Sequence, residues 1–160
     1  MTMPKTAEAH LPNDTDIVVR RFFNAPPSLV WDCHTKPDLV RRWLTGPEGW
    51  SFQICDIDLR VGGAFHWVWT NGDGQTLTLN GAYQEIEAPG RMVHEERFDE
   101  DWATSSATVT TLFSPEAGGT LMHMTMRFID KATRDTAFGT GMVDGMEASY
   151  ARLERTALAA

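Results

Sequence analysis

From Trp50 onward the chain repeats one pattern: a short run of alternating apolar and polar residues, then a turn signal. The runs are WSFQICDIDL, AFHWVW, TLTLNGAYQEI, RMVHEERF, ATVTTLF and TLMHMTMRFI. The breaks are Val61-Gly62-Gly63, Asn71-Gly72-Asp73-Gly74, Pro89-Gly90, Asp99-Glu100-Asp101 and Ala117-Gly118-Gly119. A period of two is the signature of a half-buried strand, and such short connections only join antiparallel neighbours. An earlier run, TDIVVRRFF, predicts a further strand, making about seven in all. One sheet with one apolar face needs a cover.

The cover comes from the last segment, Lys131 to Ala160, where Phe138, Met142, Met146, Tyr150 and Leu153 recur at helical spacing. Gly139, Gly141 and Gly145 weaken its front half, which predicts a break near 139–141 and a long helix after it. Between the first strand and Trp50, PPSLVWDCHTKPDLVRRWL predicts two short helices, started by Pro26-Pro27 and separated at Lys36-Pro37. The fold class is therefore α+β: a curved antiparallel sheet gripping a long C-terminal helix. Residues 1–14, polar and without periodicity, are expected to be a disordered lead-in, and 15–160 a single domain.

Alternation assigns the inward face. Phe65, Trp67 and Trp69 point in, as do Leu77, Leu79, Gly81 and Tyr83, then Val109, Thr111 and Phe113, then Met122, Met124, Met126 and Phe128. Gly81 marks a bulge or a place where a ring opposite needs room. In RMVHEERF the apolar register is Met92, His94, Glu96, Phe98, which puts a histidine and a carboxylate on the inner face. Glu96 then either reaches solvent at a strand end, pairs with an arginine such as Arg91, or serves as the polar point of an apolar pocket. His94 is a satisfied core histidine or a ligand contact. The same choice, core or pocket wall, applies to Trp67 and Trp69. An inner face built from Trp, Tyr, Phe and Met suits a wall that must adapt to a ligand. The expected ligand-binding set is Phe65, Trp67, Trp69, Tyr83, His94, Glu96, Met124, Met142 and Met146.

Other chemistry is missing from the sequence. There is no nucleophile elbow, P-loop, dinucleotide fingerprint or H-E-x-x-H, so no catalytic residue, metal or cofactor is assigned. A net charge of −8 disfavours nucleic acid and anionic membrane surfaces. No signal peptide or membrane span is evident, so the cytoplasm is the default location. Cys33 and Cys55 read as two buried small residues rather than a redox pair, and His34 beside Cys33 is no nucleophile–base pair.

Several segments carry a family resemblance: RRFFNAPPSLVWDCHTKPDLVRRWLTGP, DIDLRVGGAFHW, GAYQEIEAPGRMVHEERF, GGTLMHMTMRF and GMVDGMEASYARLERTAL. In this order they resemble the bacterial proteins related to the C-terminal domain of the activator of Hsp90 ATPase, within the START-like helix-grip superfamily. The resemblance implies the same grip fold, in which apolar small molecules mostly bind between sheet and helix. It makes Trp43, Arg60, Gly62, Gly63, Gly81, Arg91, Gly141 and Gly145 architectural, and carries no catalytic motif onto this chain. Trp43-Leu44 and Cys33-His34 depart from the family's usual pairs, so no relative's ligand is transferred.

The expected function is binding of a hydrophobic small molecule. The alternatives are a cavity enzyme of cyclase, hydrolase or isomerase type and a chaperone- or stress-linked interaction module. The last predicts an exposed apolar patch on the outer face or near Trp50 and Trp102; an Hsp90-type partner follows from the resemblance alone. A homodimer is compatible with such a fold.

Overall fold

The computed structural model describes residues 3–99 and 106–158; Trp102 and part of the Asp99–Asp101 break lie outside them. The elements follow the predicted order, with one addition at the front. They are β1 (Glu8–His10), β2 (Asp16–Phe23), α1 (Pro27–Thr35), α2 (Pro37–Val40), β3 (Trp50–Ile57), β4 (Ala64–Asn71), β5 (Thr76–Glu87), β6 (Arg91–Phe98), β7 (Ser106–Glu116), β8 (Gly119–Arg127), α3 (Lys131–Phe138) and α4 (Met142–Thr156). The strands form one antiparallel sheet in the order β1-β2-β8-β7-β6-β5-β4-β3. Register shifts between Phe52 and Ile54 and between Tyr83 and Glu85 are the irregularities that bend such a sheet.

The sheet has eight strands, not seven, and the expected lead-in supplies the extra one. Three residues are too few to show a period, so β1 left no pattern to read. It forms because β2 offers it a free edge, with Ala9 opposite Val19. Pro4 O accepts from Phe22 N–H at 2.6 Å, and Ala7 N–H donates to Glu147 Oε1 at 2.6 Å. Disorder over 1–14 is thus corrected for the part that pairs.

The helical break falls where the glycines put it. Gly141 takes φ 80°, a left-handed conformation that suits glycine, and α4 starts directly after it. Asp130 caps α3 by accepting from Thr133 N–H at 2.8 Å. The core lies between the sheet's inner face and the helices: Ile17, Val19, Phe23, Val30, Trp43, Val109, Met122, Tyr150 and Leu153 are all buried. Val68, on the outward register of β4, is buried too, set between Ile54 and Thr78 on the neighbouring strands.

Candidate functional site

β4 is anchored at its start by the glycine pair. Gly62 takes φ 83°, its N–H donates to Tyr83 O at 2.8 Å, and Tyr83 N–H donates to Gly63 O at 2.9 Å. From there Phe65, Trp67 and Trp69 face Gly81, Leu79 and Leu77 across the β4–β5 ladder. A Cβ on Gly81 would overlap the Phe65 ring. Gly81 is therefore room for a ring; the β5 bulge lies further along, at Tyr83 to Glu85. Seated there, Phe65 touches Trp67, His94 and Tyr83, with ring centroids at 4.7, 5.2 and 5.5 Å.

The three alternate rings of β4 meet different fates. Trp69 is buried, packs on Phe52 at 4.9 Å and donates its indole N–H to Leu44 O at 2.8 Å. Trp43 is fixed likewise, through Cys33 O at 2.8 Å. Trp67 is only half-buried, yet its Nε1 is shielded and has no protein partner. An indole N–H is a donor that normally finds an acceptor when buried. Trp69 is thus held by its surroundings, while Trp67 leaves a donor uncommitted.

On β6 the inner register holds the polar pair. His94 Nε2 and Glu96 Oε1 are 2.9 Å apart, with side chains 16% and 17% exposed. His94 Nδ1 is buried without a protein partner. Glu96 does not pair with Arg91. The two are five residues apart, an odd separation that places them on opposite faces. Arg91 instead binds Glu85 at 2.9 Å. Nor is His94 a satisfied core histidine, since one ring nitrogen stays bare. Burial pushes the Tyr83 and Tyr150 hydroxyls well above the ordinary phenol range and the Cys33 and Cys55 thiols up to about 11. All four are neutral and unreactive at pH 7.

Met124 on β8 and Met142 and Met146 on α4 pack partly buried against the same core. Of the expected site residues, Phe65, Trp67, Trp69, Tyr83, His94 and Glu96 form one connected group, with Trp69 edge-on to Trp67 at 6.1 Å between centroids. The methionines face the interior from the other walls, and the indole N–H of Trp69, unlike that of Trp67, is taken up by Leu44 O.

Two inward groups were not anticipated. Arg21 follows Ile17 and Val19 on the inner register of β2 and is 2% exposed. It holds Glu147 through Nε at 2.8 Å and Nη2 at 3.0 Å, and Glu154 through Nη1 at 2.7 Å, so it clamps α4 to the sheet. Alternation in DIVVRRFF could have revealed it. His34 lies one helical turn after Val30, so the apolar stripe of α1 could have revealed it too. Its Nδ1 donates to Val30 O at 2.7 Å, its ring lies 4.9 Å from both Trp43 and Phe113, and its Nε2 is buried without a partner. Burial, against the pull of that carbonyl, brings its pKa down to about 4.

An open depression of about 540 Å³ is lined by outward-register residues, among them Asn80, Glu95, Arg97 and Arg127, and also by Gly81, Glu96, Ala107 and Phe128 of the inward register. Among the described residues no His, Cys, Asp and Glu cluster could hold a metal ion, and no helix is long and apolar enough to cross a membrane.

A bent antiparallel sheet closed by a C-terminal helix, with polar groups set into an aromatic inner wall, defines a helix-grip protein. The chain belongs to the family described as Activator of Hsp90 ATPase homolog 1-like protein, which matches residues 24–157. A crystal structure from Rhodobacter sphaeroides is 30% identical, with a TM-score of 0.90, covering 97% of this chain and 99% of that one. A Nitrosomonas europaea protein (23% identity, TM-score 0.79, covering 91% and 95%) and a Mycobacterium smegmatis protein (19%, 0.80, covering 94% and 95%) share the fold. No functionally curated protein matches the sequence significantly.

Proposed function

We propose that the chain binds an apolar small molecule between the inner face of its sheet and the α3–α4 cover. One observation carries this reading. Inward-register side chains on three strands (Trp67 on β4, His94 and Glu96 on β6, Met124 and Met126 on β8) keep solvent access, while Ile17, Val19, Val109 and Met122 on the same face are at 0–1%. A core filled to ordinary packing density would bury both sets alike. The adaptable Met142 and Met146 on the facing helix fit a space whose occupant changes. The test is a fluorescence titration with fatty acids, flavonoids and sterols. A saturable change lost in Trp67→Phe but kept in Trp69→Phe is expected, because only Trp67 remains uncommitted. Silence across the whole panel would reject the reading.

A further inference from the structure

We infer that the ligand of this interior meets the protein through a neutral hydroxyl, and that a carboxylate of the same size is refused. The inference deepens the binding reading above and rests on it. A carboxylate can only accept, so at 2.9 Å from Glu96 Oε1 the proton of His94 sits on Nε2. While the ring is neutral, Nδ1 is then an acceptor, buried and without a partner among the described residues. Trp67 Nε1–H is a bare donor, equally shielded. Both rings flank Phe65, with centroids at 5.2 and 4.7 Å. The wall thus offers an acceptor and a donor around one aromatic ring, and a hydroxyl answers either because its single oxygen both donates and accepts.

A carboxylate finds the opposite reception. It has no proton for His94 Nδ1, and Glu96 places like charge at the same wall. Among the described residues the two buried arginines are already engaged. Arg21 is taken by Glu147 and Glu154; Arg134 by the carbonyls of Asn13 and Asp16 and by Asp135. Beside a neutral His94, an anion entering here would be desolvated with neither buried arginine free to pair with it, which is costly.

Three probes on one ring system decide the matter by calorimetry on the full chain: 2-naphthol, 2-methoxynaphthalene and 2-naphthoate. 2-Naphthol is expected to bind about tenfold tighter than the methoxy compound, which cannot donate, and 2-naphthoate weakest. His94→Phe should erase the advantage of naphthol over the methoxy compound. Equal affinities for those two in the native chain would mean that water serves Nδ1, and would overturn the inference while leaving the binding reading intact. Tighter binding of naphthoate would do the same. If none of the three binds and Trp67 fluorescence also stays unmoved across the wider panel, both readings fall.

Discussion

Replacing Arg21 by leucine removes the clamp between β2 and α4 at nearly constant volume. The guanidinium is 2% exposed and makes two hydrogen bonds to Glu147 and one to Glu154, all between 2.7 and 3.0 Å. Its loss strands two carboxylates that are 26% and 43% exposed. Deleting one partner of a fully buried pair costs about 3–5 kcal/mol, whereas exposed pairs contribute about 1 kcal/mol at most. Because both glutamates can still turn toward water, the expected loss lies between, at about 2–3 kcal/mol. For a chain of this size that is a drop of about 5–10 °C in Tm. Urea unfolding should show a lower midpoint with an unchanged slope.

Glu147 adds a pH signature. Burial raises its pKa, but the Arg21 hydrogen bonds and the Ala7 N–H outweigh this and hold it below 4.5. A carboxyl depressed on folding stabilises above its unfolded pKa, and that stability is lost as the pH falls through the folded value. The acid-side loss below pH 4.5 should therefore be shallower in Arg21→Leu. Changing Arg21, Glu147 and Glu154 together to uncharged residues should recover most of the stability, since no charge is then stranded. A loss under about 1 kcal/mol for Arg21→Leu would refute the clamp.

Gly81→Ala should destabilise by about 1–3 kcal/mol, read from denaturant midpoints, because its Cβ would overlap the Phe65 ring. Adding Phe65→Leu should recover only part, since the same Cβ lies 2.6 Å from Glu95 O, which cannot move aside. For His34, a pKa lowered on folding from 6.5 to about 4 means that the unfolded chain binds more protons between those values. Stability should fall as the pH drops from 6.5 toward 4, and His34→Phe should flatten that slope; an unchanged slope would mean another group is responsible.

The sequence by itself determined the architecture. Alternation with hairpin breaks specifies antiparallel strands, because side chains two residues apart must share a face, and the glycines at 139–141 end one helix before the next begins. It also placed Phe65, Trp67, His94 and Glu96 on one wall, since facing follows from residue parity alone. Parity says nothing about what a side chain meets there. Trp67 and Trp69 are equivalent in the pattern, and only the folded chain brings Leu44 O to one and not the other. The pairing of Glu96 with His94 rather than Arg91 depends on how two side chains on one strand turn toward each other. β1 forms through contacts with β2 and with Glu147, a residue 140 positions from Ala7. Those decisions belong to tertiary structure because each depends on atoms distant along the chain, and they separate the polar groups left open at the inner wall from those the fold itself consumes.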